Sequence, residues 1–319
     1  MPATELSVVI PFLNERECLP LLKDRLFGSK DLPKSLELIF VSDGSTDGSA
    51  ELVEGWAKTE PRVKMVELTR NFGHQAAICA GLDHARGRWV AVMDADLQDP
   101  PETLAEMFGE AVRGGWDIVY HVRAMRSGFW PKRAAYSLFY WSYSKLADSP
   151  IDDSSGDFCV LSREAVEILG SLPEKVRFVR GLRSWMGLKA KAFSAPRPER
   201  AAGAPQYSLA KLAGLAVNGL TSFSAKPMRL AMIGGAILCA GALTLACVYI
   251  VLALFFGLHE KVPGFATIVS LLLFLSGIQF IMMGVMGEYI GQIFFEVKGR
   301  PTYLVRRAVN IEKERSARE

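Results

Sequence analysis

Two stretches of this chain, residues 230–258 and 262–287, contain no Asp, Glu, Lys or Arg. A helix needs about 20 apolar residues to cross the hydrocarbon core of a bilayer, whereas a buried helix of a soluble protein is expected to meet a charge after about 10 to 14. Both runs are long enough to span. The pattern predicts two transmembrane helices, at about 230–257 and 264–288, inside a hydrophobic unit covering 229–296. Only residues 257–263 separate the runs, so they fold back as a hairpin. Lys226 and Arg229 flank the first run, and Lys298, Arg300, Arg306 and Arg307 follow the second. Cytoplasmic flanks attract such cations, which puts both outer ends inside and the loop with His259 and Glu260 outside.

The first apolar run, residues 6–13, has the length of a strand and contains Pro11, unlike a signal peptide, so the N-terminal part is expected to stay in the cytoplasm. Five scattered cysteines without a Cys-x-x-Cys pair fit a reducing compartment and argue against a structural zinc. The net charge of +3 is unevenly placed. From Val297 onward seven Lys/Arg stand against three Asp/Glu, a basic tail over 297–319 beside the anionic headgroups. The last ten residues read as frayed.

The first 207 residues alternate apolar runs, turn residues and helical patterns, which is the rhythm of βαβ units. Strands are expected at 6–12, 36–41, 63–68, 89–93 and 117–121, with a helix carrying Leu19, Leu22 and Leu26 and another over 74–85. No Gly-x-Gly-x-x-Gly or Walker loop follows any strand, so dinucleotide and phosphate-loop chemistry lose support. Asp43 instead offers a carboxylate at a strand's carboxyl end, where open α/β sheets bind ligands. Asp47 or Ser45 is expected to cap the helix that follows.

Residues 89–102, WVAVMDADLQDPPE, carry a buried strand straight into Asp94, Asp96 and Gln98 before Pro100 and Pro101 open a helix. In extended chain alternate residues share a face, so these oxygen-bearing side chains are expected to converge on one hard cation that would screen a diphosphate.

Two segments are basic. Arg123, Arg126, Lys132, Arg133 and Lys145 lie among seven aromatic residues with no acid between Asp117 and Asp148, the mixture a membrane–water interface selects. A similar mixture binds single-stranded nucleic acid, but the adjoining apolar hairpin argues against that. A second acid-free segment, bracketed by Glu174 and Glu199, holds Lys175, Arg177, Arg180, Arg183, Lys189, Lys191 and Arg197, and points to an anionic substrate, a membrane surface, or both. Residues 208–228 then place Leu209, Leu212, Ala216, Leu220 and Phe223 at helical spacing, an amphipathic helix lying on the membrane before Pro227 turns the chain into it.

Six motifs in order, SVVIPFLNE (7–15), VSDGSTDGS (41–49), TRNFGHQAA (69–77), MDADLQDPPE (93–102), SSGDFCVLSREAV (154–166) and GEYIGQIFFEVKGRPTYLV (287–305), together with the hairpin, resemble the inverting family 2 glycosyltransferases. More narrowly the chain looks like the polyisoprenyl-phosphate glycosyltransferases, such as dolichol-phosphate mannosyltransferases and bactoprenol glucosyltransferases.

That resemblance implies an α/β fold of GT-A type, a Rossmann-like nucleotide-sugar domain over 1–207, followed by the two-helix hairpin. It implies Pro11, Asn14, Glu15, Asp43 and Asp94 around the nucleotide, and Mg²⁺ or Mn²⁺ held by Asp94, Asp96 and Gln98. Asp157 stands near the reacting centre as catalytic base or orienting group. Arg123, Lys132 or Arg133 would meet the lipid phosphate. Where many relatives carry Gly-x-Ser-Lys-Tyr, this chain has Gly203-Ala204-Pro205-Gln206-Tyr207, which removes a cation and makes Arg200 the better phosphate contact. The reaction expected is transfer of a sugar, UDP-glucose being the first choice of donor, to undecaprenyl phosphate at the bacterial inner membrane. GDP-mannose as donor and a catalytically silent membrane scaffold are the alternatives. The family also implies homo-oligomers.

Overall fold

The computed structural model describes residues 4–122, 155–174, 178–195 and 265–311, with isolated helical positions between 233 and 255. Its elements fall into two compact units. The interface helix expected at 208–228 and the basic aromatic segment after Val122 lie outside the described residues. So does most of the first apolar run.

The larger unit is built on one eight-stranded sheet of order β7-β5-β6-β4-β1-β2-β3-β8. Strands β1 (Leu6–Phe12), β2 (Leu36–Ser42), β3 (Val63–Leu68) and β4 (Trp89–Val92) form as the apolar runs predict. They are mutually parallel, with β1 between β2 and β4. Every residue of β1 and of β2 is buried, because helices cover both faces of the sheet. One face packs Leu6, Val8, Ile10, Leu38, Phe40 and Ala91 against α1 (Cys18–Gly28), α2 (Ser49–Thr59) and α4 (Pro101–Gly114). The opposite face receives α3 (His74–His84), which lies so close on β1 that a Cβ at Gly81 would stand 2.1 Å from Val9 Cγ1. Fully burying one such Leu or Ile side chain contributes about 1.5–3 kcal/mol.

The second half of the sheet has a different sense. Strand β5 (Ile118–Val122) is followed, across residues outside the described set, by β6 (Ser155–Ser162), which runs antiparallel to both β4 and β5. Ser162 then caps α5 (Arg163–Ser171), accepting a hydrogen bond from the Ala165 amide. The basic stretch before Glu199 forms α6 (Val179–Trp185) and the edge strand β7 (Ala190–Ser194), parallel to β5. Because β6 is reversed, its first residues arrive at the sheet edge where β1 to β4 end.

The tail expected over 297–319 is in part an element of this sheet. Residues Val305–Val309 form β8, antiparallel to β3. Arg306 and Arg307, counted above among the charges beside the membrane, are engaged by acids: Arg307 pairs with Glu67 at 2.9 Å and with Glu54, and Arg306 approaches Glu67 at 3.5 Å. Asn310 closes the strand by donating to the Val63 carbonyl at 2.9 Å.

In the smaller unit, helix α7 (Phe265–Val297) has 33 residues, about 50 Å at 1.5 Å per residue. Its stretch Phe274–Gly291 has a mean hydropathy of 1.2, none of it buried, and is long and apolar enough to cross a membrane. The helix was expected to end near 288. It continues because nothing breaks it until Gly299, at φ +64, with Pro301 behind.

Candidate active site

In an open α/β sheet, ligands bind at the carboxyl ends of the strands where the strand order reverses. Here that point lies between β1 and β4, since β2 and β3 lie on one side of β1 and β4 on the other. Of the residues singled out in sequence, Asn14, Asp43, Asp94, Asp96 and Asp157 lie on the loops and strand ends at this edge.

Two loops interlock there. Asn14, just past β1 and at φ +58, accepts a hydrogen bond at Oδ1 from the Thr46 amide (2.8 Å), and its own amide donates to Ser45 Oγ (3.1 Å). Neither Asp47 nor Ser45 caps α2, whose N-cap is Gly48 with no side-chain cap hydrogen bond; Asp47 instead braces the turn before it, its Oδ1 accepting from the Ser49 amide at 3.0 Å and its Oδ2 from the Arg16 amide at 3.2 Å. Its pKa is lowered because these hydrogen bonds outweigh the penalty of burial.

Asp43 is only 4% exposed, and each carboxylate oxygen holds a backbone amide, Oδ1 that of Phe72 at 2.7 Å and Oδ2 that of Gly73 at 3.0 Å. Burial pushes its pKa up, and the two amides oppose that push. Gly44 takes φ +77 directly against this loop, where a Cβ would stand 2.7 Å from Arg70 C and Asn71 N. Asp43 thus fastens the end of β2 to the turn that launches α3. The first residue of α3 is His74.

Residues 94–98 do not share the strand face that the alternation of Asp94, Asp96 and Gln98 predicts. The strand ends at Val92, and the chain turns over 95–97 instead of staying extended. Leu97 adopts φ +61, and Asp96 Oδ1 accepts from the Gln98 amide at 3.1 Å, closing a local turn. Gln98 is therefore positioned by this turn and not by strand alternation. Asp99, which sequence reasoning passed over, is 2% exposed and accepts a hydrogen bond from the Asp94 amide at 3.3 Å. It braces the backbone that presents Asp94. No group of three or more His, Cys, Asp or Glu able to hold a metal occurs among the described residues.

Asp157 lies near the start of β6, facing the end of β4. His74 stands between the two acids, its Nε2 3.4 Å from Asp94 Oδ1 and 3.6 Å from Asp157 Oδ2. Partial burial works against its charged form, but the neighbouring Asp157 and Asp94 carboxylates outweigh it and raise the imidazole pKa. From α6, the Arg180 guanidinium reaches Asp157 Oδ2 at 3.3 Å. For Asp157 burial acts upward, yet His74 and Arg180 prevail and hold the carboxyl well below the usual carboxylate range. It is an anion at neutral pH.

His74 was legible only as a letter of TRNFGHQAA, and Arg180 only as one charge in a basic stretch. Arg123, Lys132, Arg133 and Arg200 lie outside the described residues. Pro11 is buried within β1, and Glu15 starts the turn into α1, its carbonyl accepting from the Cys18 and Leu19 amides.

Comparison with known proteins shows the family. The Glycosyl transferase family 2 profile matches residues 7–170, and the GtrB C-terminal hairpin profile matches residues 226–293. An uncharacterized glycosyltransferase of Bacillus subtilis, YkcC, is 40% identical over 98% of this chain and 97% of its own length. The SfII prophage-derived bactoprenol glucosyl transferase of Shigella flexneri is 36% identical over 95% of this chain and 98% of its own. Among solved structures, the mannosyltransferase PcManGT from Pyrobaculum calidifontis, in complex with GDP-Man and Mn²⁺, aligns with a TM-score of 0.44 at 21% identity, covering 90% of this chain and 87% of that one.

Proposed function

We propose, from the premise that the chain belongs to glycosyl transferase family 2, that it moves glucose from UDP-glucose to undecaprenyl phosphate with inversion, giving a lipid-linked sugar donor. The chain is a glycosyltransferase. The acceptor and sugar are the proposed part. Their support is a relative named for bactoprenol glucosyl transfer that spans almost the whole chain, and the hairpin profile over 226–293. The observation that carries the chemistry is the convergence of Asp94 and Asp157 on His74 at the switch-point edge.

In this reading the nucleotide lies along the loops of Pro11, Asn14, Glu15 and Asp43, with its diphosphate over Asp94 and Asp96. Two carboxylates and a side-chain amide are hard oxygen donors of the kind that Mg²⁺ or Mn²⁺ takes. Asp94 and Asp96, with Gln98, would hold that ion, which would stabilise the negative charge growing on the leaving diphosphate. An oxygen of the acceptor phosphate attacks the anomeric carbon from the face opposite the diphosphate. The bond from that carbon to the diphosphate breaks, and its electron pair leaves with UDP.

A phosphate monoester has a second pKa near 6, so most of the acceptor is already a dianion at pH 7. Asp157, itself ionised, then has little proton to remove. Held well below the usual carboxylate range, it is a poor base toward a phosphate proton, and its role is to orient the acceptor. Arg123, Lys132, Arg133 and Arg200 are proposed contacts to the lipid phosphate. The hairpin holds the catalytic domain against the bilayer that the acceptor's tail cannot leave, with both termini in the cytoplasm.

The test is incubation of the purified full-length protein with undecaprenyl phosphate and a panel of labelled nucleotide sugars. Label should enter the lipid fraction from UDP-glucose above all others. Preference for GDP-mannose would replace the sugar, and no transfer from any donor would leave the scaffold reading.

A further inference from the structure

Helix α6 brings a second arginine to the site. Arg183 follows Arg180 by three residues, so both project from one side of the helix. Arg183 is 4% exposed. Its guanidinium lies over the Tyr120 ring, 4.8 Å from the centroid, and one nitrogen donates to the Gly156 carbonyl at 3.3 Å, beside Asp157. No carboxylate pairs with it among the described residues. Its other terminal nitrogen is buried with no hydrogen-bond partner, as are Arg180 Nε and Asp157 Oδ1.

A buried guanidinium is costly in lost hydration unless an anion compensates it, and each buried unsatisfied N–H adds to that cost. The protein therefore keeps two cations with free donor positions next to the carboxylate assigned to the reacting centre. Charged groups held at such cost mark a place where a ligand completes the pairing. The complement of two convergent guanidinium groups is a phosphate, whose oxygens match their fork geometry.

We propose that Arg180 and Arg183 form the receptor for the acceptor's terminal phosphate, which docks against α6 and displaces Arg180 from Asp157. The inference rests on the glycosyl-transfer reading above and names residues for its acceptor. Both substrates carry phosphate, and position decides between them. The donor's diphosphate belongs at Asp94 and Asp96, in the turn after β4, whereas the arginines adjoin Asp157, where the attacking oxygen must sit. On arrival the phosphate takes over the guanidinium hydrogen bonds, and Asp157 is left with His74, free to address the nucleophile. The lipid tail then leads away past α6, whose last residue, Trp185, is 57% exposed. An indole in that position suits the headgroup level of a bilayer.

The test titrates full-length protein in detergent with farnesyl phosphate, farnesol and UDP, and measures KM for undecaprenyl phosphate and for the nucleotide sugar. Wild type should bind farnesyl phosphate at least tenfold more tightly than farnesol. Arg180→Gln and Arg183→Gln should each lose roughly 10-fold in farnesyl phosphate affinity or more, the loss expected for one charge-assisted hydrogen bond. UDP binding should stay within about twofold, and Arg183→Lys, with the charge but not the fork, should fall between. KM for undecaprenyl phosphate should rise in parallel. UDP binding also reports that a variant is folded; should Arg183→Gln fail to fold, the less buried Arg180 carries the comparison. Unchanged farnesyl phosphate affinity in Arg180→Gln overturns the proposal, and so does an equal loss for UDP, which would assign the arginines to the donor. If wild type binds farnesyl phosphate as predicted but transfers no sugar, the glycosyl-transfer reading fails while the phosphate receptor stands.

Discussion

Replacing Asp43 by Asn separates two roles that this carboxylate can have. In the structure its two oxygens accept the Phe72 and Gly73 amides at 2.7 and 3.0 Å, in a place where the residue is 4% exposed. Asn keeps one acceptor oxygen but turns an amino group toward the other backbone N–H, so two donors face each other. One hydrogen bond to a charged group is lost and one buried amide is left unmet, together about 2 kcal/mol after allowing for relief of the carboxylate's own burial cost. For a folded unit of some 150–250 residues this corresponds to a fall in Tm of roughly 4–8 °C. The assay is thermal unfolding of the full-length protein in detergent, followed by tryptophan fluorescence, with and without UDP. Because the loop it fastens begins α3 at His74, kcat should fall along with Tm. A Tm within 1 °C of wild type, with only the KM for the nucleotide sugar raised, would refute the fastening role and leave Asp43 as a nucleotide contact alone.

Under the proposed function Asp96→Asn removes one of the two proposed anionic ligands and should abolish most divalent-ion-dependent activity; normal activity with normal ion dependence would remove the residue from the site. Arg180→Ala should lower stability at neutral pH, and the gap to wild type should narrow as pH falls below about 4. The sign follows from Asp157, whose depressed pKa contributes stability above its unfolded value and loses it in acid; a gap that widens in acid would contradict the pairing. Reporter fusions at Glu319 and within residues 257–263 should place the first in the cytoplasm and the second outside, and a cytoplasmic signal from the loop would overturn the hairpin topology.

The parallel half of the sheet was legible because its strands are continuous apolar runs cut by turn residues, as in Val90–Met93 before Asp94 or Ile39–Val41 before Asp43. Such runs are what burial on both faces demands. The strand β8 was not legible, since Val-Arg-Arg-Ala-Val after an apolar helix reads as juxtamembrane charge. Its partners, Glu54 and Glu67, come from a part of the chain some 240 residues earlier, and only the sheet edge explains the arginines. The converging face expected of Asp94, Asp96 and Gln98 relied on extended backbone, which Leu97 abandons at φ +61. A leucine carries no local signal for that conformation.

Within the site, Asp94 and Asp157 were both named from sequence, but the groups that tune them were not. His74 meets Asp157, and Arg180 reaches it, only because β6 runs antiparallel to β4 and α6 packs on β6, which also brings Arg183 to the neighbouring Gly156 carbonyl. Neither spacing nor composition encodes that reversal. A basic stretch alone, without the buried orphan nitrogens, could not distinguish α6 from the solvated cations around it.

The central claim is that a sugar, and not a sugar phosphate, passes from the nucleotide to the lipid phosphate. UDP-glucose labelled with tritium in the glucose and with phosphorus-32 in the β-phosphate tests it in one incubation with undecaprenyl phosphate and full-length protein. Tritium should move to the lipid while phosphorus-32 stays with UDP, and the product should carry the anomeric configuration opposite to that of the donor. Phosphorus-32 in the lipid, or a retained configuration, would contradict the account.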